Sequence, residues 1–117
     1  MLVHEGKPQE ALREIALEPS EWARLTGQAV AYHALGREAD SDAALAGLIA
    51  KHSGDSAYQI AEVYAYRGQI NKAFEWLNRA YDERDPGVPE IKTDPLLQNL
   101  RHDPRYAEFL KTMRLPA

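Results

Sequence analysis

Gly36 and Gly68 stand 32 residues apart, and each separates two amphipathic runs. That pair constrains the fold more than any other feature of the chain. Before Gly68, Ala57, Ile60, Ala61 and Tyr64 fall at i, i+3, i+4 and i+7; after it, Ile70, Ala73, Phe74, Leu77, Ala80 and Tyr81 continue the rule. Residues 56–81 therefore read as a helical hairpin. Gly68 marks its turn, because a residue without Cβ takes up the left-handed conformation that ends a helix. Residues 21–35 and 38–52 repeat the arrangement around Gly36. Trp22, Leu25, Ala29 and Tyr32 point inward from the first run, and Ser41, Ala44, Leu45, Leu48 and Ile49 from the second. Ser20 is placed to cap the earlier hairpin, and Asp55 or Ser56 the later one.

The two hairpins share offsets as well as turns. Tyr32 and Tyr64 lie four residues before their glycines, and Ala29 and Ala61 seven before. Five residues after Gly6, Gly36 and Gly68 come Ala11, Ser41 and Ala73, all small. Small residues at fixed points allow close helix approach, and self-similarity at this spacing is the mark of a helical solenoid. Residues 6–19 supply one more helix, with Pro8 in its first turn and Ala11, Leu12 and Ile15 on its apolar face. That helix lacks a hairpin partner of its own. The chain is thus expected to start inside a repeat, with Met1 a boundary and not a natural beginning.

Past the second hairpin the pattern changes. Asp94-Pro95 and Asp103-Pro104 each join a good capping residue to a good first helical residue, so each marks a helix start. The first helix spans about 95–101. The second spans about 104–113, with Tyr106, Phe109, Leu110 and Met113 inward and Arg105, Glu108, Lys111 and Arg114 outward. A final helix that is apolar on one side and charged on the other is what closes the open end of a solenoid.

These residues resemble the tetratricopeptide repeat, a helical hairpin of about 34 residues. Residues 54–87 carry the match through Ala61, Tyr64, Gly68, Ala73 and Ala80, with the terminal proline displaced to Pro86. Residues 22–53 carry it with Ser41 in place of an alanine and Leu48 at a small site. The phrase 80–115 also resembles the C-terminal ends of repeat domains in bacterial multidomain signalling proteins, among them cyclase-like, kinase-like and winged-helix regulators. The resemblance implies an all-α single domain over 1–117. It would be a short right-handed solenoid of about two and a half repeats, made of a half repeat at 6–19, repeats at 22–53 and 54–87, and a C-terminal cap at 94–115. It also implies a protein–protein interaction module within a larger bacterial regulatory protein. A structural role through self-association, as a homodimer, is the alternative.

Composition limits the other functions. The net charge is −4, and residues 1–87 hold 9 basic against 14 acidic side chains, so no basic stripe for nucleic acid is evident and a cationic or apolar partner fits better. There is no cysteine, which removes thiol chemistry and disulfides. No apolar run is long enough to span a membrane. The start has no basic segment followed by a long apolar stretch, as a signal peptide would. A cytoplasmic location is the expectation, or a periplasmic one if membrane-anchored domains lie upstream. His4, His33, His52 and His102 form no ligand-spaced pair, and Asp40 and Asp42 point to different sides of a helix. No nucleophile elbow or phosphate loop is present. The expectation is a binding protein, not an enzyme, without cofactor or metal.

What the resemblance implies for binding is a concave face lined by the first helix of each hairpin. By position it assigns Thr26, Val30 and His33 from one hairpin, and Asp55, Tyr58, Glu62 and Tyr66 from the other. Aromatics make efficient binding anchors because they give large contact area for little entropy lost. Thr26, Val30 and Asp55 stand where carboxylate-clamping members carry cationic or amide side chains, so a chaperone-tail clamp does not fit. Small-molecule sensing has only the tyrosines in its favour.

Overall fold

The computed structural model describes residues 7–84 and 88–113. Gly6, Pro86 and Arg114, which enter the reading above, lie outside them. Among the described residues the fold is all-α, with consecutive helices paired and no strand. The chain divides into two compact units, Met1–Ser56 and Ala57–Ala117.

The first unit holds α1 (Pro8–Ile15), α2 (Glu21–Ala34) and α3 (Glu38–His52). Pro8 opens α1 where its missing N–H costs nothing, and Ala11 is its buried residue. Ser20 stands at the N-cap of α2 with extended backbone but makes no side-chain cap bond; its own N–H donates to Glu18 Oε1 instead. α2 ends on Gly36 at φ +76°, where the Arg37 N–H reaches back to the Tyr32 carbonyl at 2.8 Å. That bond satisfies a carbonyl that the helix end would leave open. The buried side of α2 comprises Thr26, Gly27, Ala29, Val30 and Ala31, and α3 answers with Ser41, Ala44, Leu45 and Leu48. Ser41 does more than fill a small site. It is fully buried, and its hydroxyl donates to the Ala29 carbonyl at 2.8 Å, tying the two helices together. Trp22 departs from the inward reading at 41% exposed. It lies on the same stripe as Thr26 but in the first turn of α2, where the stripe runs out.

The second unit holds α4 (Ala57–Tyr66), α5 (Ile70–Asp82), a 3-10 turn (Val88–Glu90), a 3-10 helix (Pro95–Leu100) and α6 (Pro104–Thr112). The α4–α5 turn repeats the earlier closure. Gly68 has φ +78°, and the Gln69 N–H donates to the Tyr64 carbonyl at 2.9 Å. α4 is the core of the unit, with Ala57, Tyr58, Ile60, Ala61, Val63, Tyr64 and Ala65 all buried. Both Asp-Pro starts form as read. Asp94 accepts from the Leu96 N–H and Asp103 from the Arg105 N–H, each at 2.9 Å. The segment after Asp94 winds as a 3-10 helix, though, not an α-helix, and packs on α4 with Leu96, Leu97 and Leu100 buried. α6 lies along α5. The Arg105 guanidinium sits 4.7 Å over the Phe74 ring and donates to Asn71, and Tyr81 meets Phe109 edge-on at 6.1 Å. Tyr81 remains partly exposed while its hydroxyl donates to the Thr112 carbonyl.

Candidate interaction surface

The residues that the resemblance assigns to binding divide between the two units, and several are committed inside them. In α2, Val30 is fully buried and Thr26 nearly so, with the Thr26 hydroxyl donating to the Trp22 carbonyl at 2.7 Å. Such a bond back along the helix satisfies the hydroxyl locally. Neither side chain is presented to a partner. His33 is half-buried in the last turn of α2, and its Nδ1 meets the Glu38 carboxylate at the start of α3. Asp55 is exposed beyond α3, accepting from the Ser56 hydroxyl and lying 3.8 Å from His52 Nδ1.

In α4, the anchor role read for Tyr58 meets a physical obstacle. The ring is 2% exposed, and its hydroxyl donates to Asp94 Oδ2 at 2.6 Å. Asp94 lies 36 residues further along the chain. One carboxylate therefore caps the 3-10 helix with one oxygen and holds Tyr58 with the other. At the far end of α4, the Asn99 amide donates to the carbonyls of Ala65 at 2.8 Å and Tyr66 at 3.4 Å. Both carbonyls lie in the last turn of α4, and the Ala65 carbonyl also accepts from the Gly68 N–H at 3.1 Å. The Tyr58 side of α4 is thus occupied by residues 94–100 of the same chain. Glu62 and Tyr66 stay partly accessible, and partial burial pushes the Tyr66 phenol above its ordinary pKa. No signal in the local sequence announced this cover. Asp94 reads as a helix cap from its Pro95 neighbour, and its second role depends on a residue in a different helix.

Replacing Tyr58 with Phe keeps the ring and removes only the hydroxyl. A hydrogen bond to a charged group contributes about 1.5–3 kcal/mol net, so this variant should lose about 1.5 kcal/mol. Denaturant unfolding followed across the second unit measures it, and an unchanged midpoint would remove the Tyr58–Asp94 bond from the account.

A polar tie in the first unit likewise joins residues far apart in sequence. Glu21 at the start of α2 meets His52 Nε2 at the end of α3 at 2.8 Å, with Lys51 Nζ at 3.5 Å. The hydrogen bond from His52, aided by the Lys51 charge, holds the Glu21 carboxyl below its ordinary value of 4.5. A folded pKa below the unfolded one stabilises above the unfolded value, and the contribution disappears as pH falls through the folded value. In His52→Ala, Glu21 should titrate closer to 4.5 in a carboxyl-detected NMR titration. The fall in stability on acidification should also start from a smaller contribution.

No metal-holding group of three or more His, Asp or Glu side chains occurs among the described residues, and no helix there is long and apolar enough to cross a membrane. Compared with protein families, curated proteins and solved structures, the chain matches none.

Proposed function

We propose that the chain is a tetratricopeptide-like interaction module, a short right-handed helical solenoid with a C-terminal cap that binds a protein partner and carries out no catalysis. The observation behind this reading is the repeated closure of two hairpins. Gly36 and Gly68 take nearly the same left-handed φ, and the next residue donates to the tyrosine four before each glycine. Ala29 and Ala61 are fully buried in the first helices, and Ser41 and Ala73 in the second. Two hairpins built to one plan are what a repeat array requires, and such arrays serve mainly as surfaces for other proteins. The accessible remainder of α4, Glu62 and Tyr66, is the part of the assigned face open to a partner. The acidic balance of residues 1–87 favours a partner with cationic and apolar character. A place within a larger bacterial regulatory protein and a cytoplasmic location belong to the same reading.

A photo-crosslinking side chain at position 62 tests it, with position 46 on the exposed side of α3 as control. The reading expects a discrete protein adduct from 62, absent from 46 and lost when Tyr66 is changed to Ser. Equal labelling from both positions would place the binding surface elsewhere.

Self-association is a second reading, and one observation favours it. Leu17 is 82% exposed just beyond α1 and Trp22 is 41% exposed in the first turn of α2, and both belong to the first unit. A second copy that covers them would make a homodimer. Light scattering at two concentrations decides it: the dimer reading expects the mass to rise with concentration and Leu17→Glu to return it to that of one chain.

A further inference from the structure

We infer that Glu21, Lys51, His52 and Asp55 form an acid-strengthened latch at the open end of the α2–α3 hairpin, set by the charge on the His52 ring.

The chain itself joins this hairpin at one end only, through Leu35, Gly36 and Arg37. At the other end Glu21, the first residue of α2, faces His52, the last residue of α3. The His52 ring lies between two carboxylates. Its Nε2 is 2.8 Å from Glu21 Oε1, and its Nδ1 is 3.8 Å from Asp55 Oδ1. Lys51 Nζ, 3.5 Å from Glu21 Oε2, is the remaining charged group of the cluster. The ring is the least exposed member, at 19%.

A carboxylate only accepts hydrogen bonds, and a neutral imidazole has a single N–H to give. When that proton sits on Nε2 and serves Glu21, the bare Nδ1 turns its lone pair toward Asp55. The imidazolium has a proton for each side, and it takes the cluster from one net negative charge to none. Lys51 opposes that change, but its ammonium lies at the far oxygen of Glu21. A histidine ring changes charge between about pH 5 and 8. The contact to Asp55 is therefore present toward the acid side of that range and lost toward the alkaline side. Glu21 is held below its ordinary value of 4.5, so it is still ionised where the ring has taken up its proton.

The latch acts on the turn by which the chain leaves α3. The Asp55 and Ser56 N–H groups both donate to the His52 carbonyl, at 3.1 and 2.8 Å. His33, the other described histidine of this unit, meets Glu38 at the closed end of the hairpin. In the α4–α5 hairpin the positions 32 residues on from Glu21 and His52 are Ser53 and Arg84, so no imidazole stands there.

Native-state hydrogen exchange of the full chain tests this, read as the protection of the Ser56 amide after correction for intrinsic exchange. Protection should rise about threefold on going from about pH 8 to about pH 6, the scale of one partly exposed ion pair. His52→Gln and Asp55→Asn should each abolish the rise, and His33→Gln should keep it. A wild type without the rise, a rise that survives either of the first two changes, or one that disappears in the third would overturn the latch. Imidazole nitrogen NMR supplies a second reading. At the alkaline end of the range the His52 proton should sit on Nε2, and a proton on Nδ1 instead would also overturn it. Far-UV circular dichroism on each variant keeps loss of folding distinct from loss of the latch.

Discussion

Leu97→Ala should destabilise the second unit by about 3 kcal/mol, the middle of the range for truncating a buried leucine. Leu97 is fully buried in the 3-10 helix that packs on α4. The cost has two parts. The lost transfer free energy of the deleted methyl groups accounts for one, and the void left against α4 for the other. Backbone order cannot compensate, since a 3-10 helix has little stability of its own. For a unit of this size the loss should lower the melting temperature by on the order of 10 °C or more. Leu97→Met, which keeps most of the volume, should cost less than about 1.5 kcal/mol. Equal effects of Ala and Met would mean that packing at this site is not what holds the segment.

The second large effect is expected at Gly27. A Cβ there would lie 2.9 Å from both Cδ1 and Cγ1 of Ile15 and 3.2 Å from its Cγ2. Gly27 in α2 faces Ile15 at the end of α1, and the missing side chain leaves room for it. Gly→Ala in a helix interior ordinarily stabilises by about 1 kcal/mol. Here the contact opposes that gain, because Ile15 is branched at Cβ and its inner carbons cannot swing away as the tip of a flexible chain could. Gly27→Val adds two further carbons and should lose about 2–3 kcal/mol from the α1–α2 docking, within the range for overpacking. Ile15→Ala removes the opposing atoms. It should therefore be less harmful in Gly27→Ala than in wild type, with a coupling of about 1 kcal/mol by double-mutant cycle. Additive losses would show that Gly27 and Ile15 do not share the space.

Gly27 also shows where a sequence reading stops. A glycine within a helical pattern signals a packing reason, but the reason lies in Ile15, on another helix. Glu21 and His52 meet across 31 positions, and Tyr58 and Asp94 across 36. Single residues at such separations carry no mark of their partners. The place of Tyr58 in the repeat implies a surface anchor, whereas its ring is buried. Val30 and Thr26 followed from the same positional argument and are buried as well.

What the chain settles by itself is local: helices at a 3.6-residue period, hairpins turned at Gly36 and Gly68, and two late helix starts at Asp94 and Asp103. Each of these depends on backbone conformations and hydrogen bonds within a few residues, so the neighbouring sequence contains its cause. What covers each helix was decided only in three dimensions. The 3-10 segment lies on α4 because its leucines and Asp94 find complementary atoms there, and burial and long-range hydrogen bonds depend on distances through space that no local pattern encodes.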